Sequence, residues 1–182
     1  MFRARRLGRG VVGPRVRQAI RLLSDGRYVE AGELFGALAD RARDNSHHLR
    51  SAHLAEQAGR AFLEAGHADK AALYARQAVQ QFIAARRPGR AVRALQHAAV
   101  ALRSRGFDAQ AAALEQDAQE QLAQVGLSLA TLPAEPAPQP SGHLPPTCPQ
   151  CGGPLRADEV DWIDSASAEC PYCGCSVLTK PG

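Results

Sequence analysis

Long apolar runs are missing from this chain, and aromatic residues are few: among 182 residues there are one Trp, three Tyr and five Phe. Nothing approaches the roughly 20 apolar residues of a membrane-spanning helix. The opening MFRARRLGRGVV carries arginines but no apolar segment of signal-peptide length. A reducing, cytoplasmic setting is therefore expected, one in which structural disulfides are disfavoured. The catalytic signatures are missing too. No GxSxG, GxxxxGKS or GxGxxG occurs, which removes the nucleophile elbow, the phosphate-cradling loop and the dinucleotide fingerprint. No HExxH occurs either. His47, His48 and His53 fall on one predicted helix, but the five-residue step from His48 to His53 points those two apart. The carboxylates Asp158, Glu159 and Asp161 fall in what reads as an open hairpin. No catalytic constellation emerges, and a non-enzymatic protein is expected.

Lysine is nearly absent, with Lys70 and Lys180 alone among 22 basic residues. The formal net charge is +4, but it is unevenly spread. Met1 to Arg21 holds seven arginines and no acid, whereas the remainder has 15 basic against 18 acidic residues. The basicity belongs to residues 1–13, read as a disordered tail, and to the helix after it.

What the chain does have is five cysteines, all after residue 147. Cys148 and Cys151 stand as a CxxC pair, Cys170 and Cys173 repeat it, and eighteen residues separate the pairs. This is the spacing of a four-thiolate zinc site. Gly152 and Gly174, just past each pair, permit the positive φ that turns backbone N–H groups toward the sulfurs, and Pro149 and Pro171 stiffen both turns. Four thiolates fill a tetrahedral shell, so one structural zinc ion is expected, replacing the core that a segment of about 35 residues cannot build. Cys175 is the odd thiol and a possible alternate to Cys173 as the fourth ligand.

CPQCGG followed by CPYCG resembles the zinc ribbons, two knuckles on short hairpins, over about Thr147 to Lys180. The second knuckle is also similar to that of rubredoxin, a resemblance that implies iron as the alternative metal. Ser165 and Ser167 stand where a RING finger begins its second zinc site, so a RING reduced to its first site is another reading. That resemblance implies an accessory ligase-like factor docking a conjugating enzyme. The ribbon carries five acids against Arg156 and Lys180, which disfavours phosphate binding through it. Its segment ADEVDWID reads as a strand with one wet face. Trp162 there is either a cover for the metal or an exposed contact.

Upstream, from Pro14 to Val125, good helix formers dominate. Gly26, Gly66 and Gly106 recur at a 40-residue period. Ala31, Ala71 and Ala111 follow at one offset, Leu34, Tyr74 and Leu114 at another, and Ala19, Gly59 and Ala99 precede them. Such a period signals stacked helix pairs. Helices are predicted over 14–24, 28–43, 47–65, 69–86, 89–105 and 108–125. Ser46 and Asp69 are the expected N-caps, and Pro14 and Pro88 the expected first-turn residues. The small residue in each first helix, the turn Gly and the Ala of each second helix make residues 14–125 similar to tetratricopeptide repeats. The period is longer than that family's 34 residues, and its tryptophan and closing proline are absent.

The resemblance implies protein binding along the face of the first helices. The facing residues would be His53, Glu56, Arg60, Arg93, Gln96, Val100 and Arg103, whose arginines suit an acidic partner. Residues 126–147 hold six prolines and read as a spacer of about 3.1 Å per residue, able to separate the parts by roughly 45 Å. The expected architecture is an all-α array of three helix pairs with a small C-terminal β zinc ribbon at 148–182, the two parts tumbling semi-independently. The function it implies is a protein-interaction adaptor. Nucleic-acid association through the arginine-rich N-terminus is a further alternative, and no membrane contact is expected.

Overall fold

The computed structural model describes residues 12–124, 126, 141–157 and 160–180. Six helices come first: α1 (Val12–Ser24), α2 (Tyr28–Asp44), α3 (His48–Glu64), α4 (Ala68–Ala84), α5 (Pro88–Arg103) and α6 (Asp108–Gln124). Every predicted helix is found within two residues of its expected bounds. The helix of the amino-terminal region begins at Val12. The remainder of the expected tail lies outside the described residues, as does most of the spacer. None of the described helices is long and apolar enough to cross a membrane.

The turns follow one rule. A residue with left-handed φ ends each helix: Gly26, Ser46, Gly66, Arg86, Gly106 and Gly126, at φ of 58° to 80°. After Gly26, Ser46, Gly66, Arg86 and Gly106, the next N–H reaches back to a carbonyl five residues earlier, as in Arg27 to Leu22 and His67 to Phe62 at 2.9 Å. This is the Schellman closure that satisfies the last helical carbonyls. The glycine period marks alternate turns only, because Ser46 and Arg86 do the same work at φ of 58° and 59°. Ser46 is thus a turn residue and no N-cap; His47 holds that position without a side-chain cap bond. Asp69 lies inside the first turn of α4, whereas Pro88 does open α5.

Each helix packs on the next, and α3 also meets α5 and α4 meets α6. Much of the core is alanine, including Ala31, Ala52, Ala55, Ala58, Ala78, Ala91 and Ala111, all fully buried. Small side chains let helix axes approach closely, and Phe35, Phe62, Phe82, Leu102, Leu114 and Leu122 fill the space between them. At Gly59 the backbone of the next helix comes close: a Cβ there would lie 3.2 Å from the Ala71 carbonyl oxygen on α4.

Three short strands follow, β1 (Asp161–Asp164), β2 (Ser167–Glu169) and β3 (Ser176–Leu178), in one antiparallel sheet of order β1-β2-β3. Residues 141–147, expected in the spacer, are tied to this module. His143 bridges Lys180, Thr147 bridges Pro154, and Ser141 N–H donates to the Ser165 carbonyl at 2.7 Å.

The module does not stand apart from the helices. One continuous buried cluster runs from Val16, Phe35 and Ala52 through Tyr172, Leu155 and the cysteines. Gly153 is so close to Tyr172 and Ile20 that an added Cβ would meet them at 2.6 and 3.1 Å. The expectation of two semi-independent bodies is replaced by a module seated on the helices.

The turn rule gives a prediction. Left-handed φ costs a non-glycine residue about 1–2 kcal/mol, part of which is regained through the stiffer unfolded chain. Ser46→Gly and Arg86→Gly should each raise stability by about 0.5–1 kcal/mol in denaturant titrations. Gly66→Ala, whose Cβ would meet nothing within 4 Å, should lower it by about 1 kcal/mol through φ alone. Destabilisation by either glycine substitution would contradict the reading.

Candidate metal centre

Both knuckles are built as the spacing requires. In the first, Cys148 N–H donates to the Gly153 carbonyl and Gly152 N–H to the Cys148 carbonyl, both at 2.8 Å. In the second, Cys170 N–H donates to the Cys175 carbonyl and Gly174 N–H to the Cys170 carbonyl, both at 2.9 Å. Gly152 and Gly174 take φ of 75° and 67°. The turns aim N–H groups at sulfur: Gln150 at Cys148 Sγ and Gly153 at Cys151 Sγ, both at 3.4 Å.

Cys148, Cys151, Cys170 and Cys173 are buried, and their sulfurs all lie within 4.8 Å of one another. Cys148 to Cys173 is 3.8 Å and Cys151 to Cys170 is 3.7 Å. Four sulfurs about 2.3 Å from a central ion in tetrahedral array stand about 3.8 Å apart, so these residues could hold a metal ion. The electrostatics agree. Sulfur contacts led by Cys151 hold the Cys148 thiol far below the ordinary range, while contact with Cys148 pushes Cys151 and Cys170 far up. Uncompensated, the buried sulfurs cannot all ionise; a divalent cation removes that conflict. Cys175 is the one partly exposed cysteine. Its Sγ lies 3.3 Å from that of Cys148, shorter than a tetrahedral edge.

Beneath the sulfur cluster, the sheet presents Asp161 and Glu169, opposed across β1 and β2, to α3 and α5. Arg90 pairs with both, reaching Glu169 at 3.4 Å, and Arg93 reaches Asp161 at 3.0 Å. His53, fully buried, lies between two carboxylates: Nδ1 is 3.6 Å from Glu56 and Nε2 is 3.5 Å from Glu169. These are ion-pair rather than hydrogen-bond distances. Burial alone would lower the His53 pKa, but Glu169 and Glu56 outweigh it and raise it to about 9. Burial pushes Asp161 up and Arg90 down, each held back by the other's charge. Gln57 Nε2–H donates to the Pro171 carbonyl at 3.1 Å, beside the second knuckle.

The residues expected to face a partner divide accordingly. His53 is inaccessible, since the module covers it. Arg93 is ion-paired to Asp161, and Arg103 is turned to Glu115 of α6 at 2.6 Å. Glu56, Arg60, Gln96, Val100 and Trp162 line a cavity of about 940 Å3 between α3, α5 and the module, together with Arg93. Trp162 is half-buried there, and its indole N–H donates to the Ala157 carbonyl at 3.2 Å. Asp161 is no open-hairpin carboxylate but part of the buried network; Asp158 and Glu159 lie outside the described residues. Sequence reasoning missed Arg90, Gln57, Asp161 and Glu169 as interface residues. One signal existed: the 40-residue period aligns Arg50 with Arg90 and His53 with Arg93, and all four face the module or adjoin it.

The network predicts a pH dependence. The His53 pKa is raised from 6.5 to about 9, so its contribution is complete below the ordinary value and is lost as pH rises through the folded one. The stability gap between the native chain and His53→Gln should be on the order of 3 kcal/mol near neutrality or below and should shrink at high pH. Denaturant titrations across pH measure this, and a gap independent of pH would remove the charge on His53 from the account. Compared with known proteins, the chain matches no family model, no curated protein and no solved structure, so a functional reading rests on its own geometry.

Proposed function

We propose that this chain is a non-enzymatic protein-interaction adaptor, a tetratricopeptide-like stack of three helix pairs whose binding groove is completed by a four-cysteine zinc ribbon. The repeat reading is supported by the recurrence of the turn residues at twenty-residue intervals from 26 to 126. Zinc is supported by an all-sulfur shell with tetrahedral edges and no open position, which suits a structural ion. Cys148, Cys151, Cys170 and Cys173 would hold it, with Cys175 outside the shell.

The observation that carries the proposal is the shared cavity. Its floor is made of small residues, Gly59, Ala71, Ala75, Ala78 and Ala94, and its rim includes Val100, 66% exposed, and Trp162 from the module. A volume of about 940 Å3 admits several large side chains. Arg93 and Arg103, expected to attract an acidic partner, are engaged within the chain. The partner that fits best is therefore a protein segment inserting large apolar side chains, with Trp162 as an aromatic anchor.

The test uses peptides selected from a random library on the zinc-loaded chain. Enriched peptides should carry clustered large apolar residues. Trp162→Ala and Val100→Glu should each weaken them by more than tenfold, about 1.4 kcal/mol, and Val100→Glu, at a side chain already exposed, should do so with little change in thermal stability. Chelation should abolish binding, since the module forms one wall. Peptides that bind both variants and the chelated chain undiminished would overturn the reading.

A further inference from the structure

The sulfur cluster holds one thiol more than a tetrahedral shell can use. Cys148, Cys151, Cys170 and Cys173 are buried, whereas Cys175 is partly exposed, and its Sγ stands 3.3 Å from Cys148 Sγ. That separation is shorter than the 3.8 Å between Cys148 and Cys173. A disulfide needs about 2.05 Å, so the two sulfurs need close by little more than about 1 Å. Cys175 follows Gly174, whose left-handed φ of 67° sets the end of the second knuckle. Its carbonyl accepts from the Cys170 N–H at 2.9 Å, which keeps the residue beside the shell. A structural knuckle does not need a thiol there.

We propose that Cys175 is a redox trigger for the metal centre, pairing with Cys148 on oxidation by a peroxide and so removing one metal ligand. This rests on the zinc reading above and names a regulation of the same site. Cys175, the partly exposed cysteine, is oxidised first. Its thiolate attacks the peroxide, an S–O bond forms, the O–O bond breaks, and the leaving hydroxide takes up a proton as water. The Cys148 sulfur then displaces hydroxide from the sulfenic acid, the S–S bond forms, and the second hydroxide leaves as water. In sum two thiols and one hydrogen peroxide give a disulfide and two waters. The shell would then lack its Cys148 ligand, and a bound ion would be released. Loss of the ion frees the second knuckle, whose Pro171 accepts from Gln57 and whose neighbour Glu169 faces His53 and Arg90. Oxidation therefore opens the wall of the groove.

The experiment treats the full-length, zinc-loaded chain with hydrogen peroxide, following zinc with a chromophoric indicator and cysteine pairing by peptide mass spectrometry. Expected are release of zinc in step with a Cys148–Cys175 disulfide, and recovery of zinc binding on reduction. Cys175→Ala and Cys175→Ser should bind zinc like the native chain and release it at least tenfold more slowly. Equal release rates from these variants would overturn the trigger, as would a first disulfide within Cys148–Cys151 or Cys170–Cys173. A reduced native chain that binds no zinc would instead overturn the zinc reading. The pairing would then be judged on the metal-free chain, where a first disulfide elsewhere overturns it.

Discussion

The ion-pair network between the helices and the module is the constraint on which the rest depends. His53 has no exposed surface and Arg90 is 12% exposed. Charges taken this far from water are tolerated only when paired, and removing one partner of such a pair costs about 3–5 kcal/mol. Without the module, His53 and Arg90 would face solvent or an occupant of the groove. With it, each finds Glu169, and Arg90 finds Asp161 as well. Because like is matched to unlike on both sides, the network fixes orientation more than it adds affinity. The continuous apolar cluster through Phe35, Tyr172 and Leu155 supplies the adhesion.

The cysteine knuckles and the helices are thereby connected. Asp161 and Glu169 are presented by β1 and β2, and Glu169 is followed directly by Cys170. A module this small lacks the apolar surface to hold its shape unaided, so the carboxylates are positioned only while the knuckles are. The cavity walled by α3, α5 and the module inherits the same dependence.

Local features were legible from sequence, and long-range ones were not. The paired CxxC spacing pointed to four cysteines whose sulfurs cluster, and helix-forming segments between turn glycines gave six helices. The turns at Ser46 and Arg86 were opaque, because left-handed φ in a non-glycine residue is imposed by the Schellman closure and leaves no mark in composition. The seating of the module was opaque for a different reason. Arg90 and Glu169 are 79 residues apart, and Arg93 and Asp161 are 68 apart, so each read alone as a solvated surface charge. An acidic ribbon beside a helix face rich in arginine was a complementarity visible in the sequence, and Arg90 and Arg93 meet it within the chain itself.

The four-cysteine module and the helices form one body, joined by the continuous apolar cluster and oriented by the charges buried between them. Amide hydrogen exchange along α3 and α5, in the metal-loaded chain and after chelation, is the measurement that bears on this. Chelation should speed exchange around His53 and Arg90 while the distant α6 stays protected. Unchanged exchange at those helices after the metal is gone would contradict it.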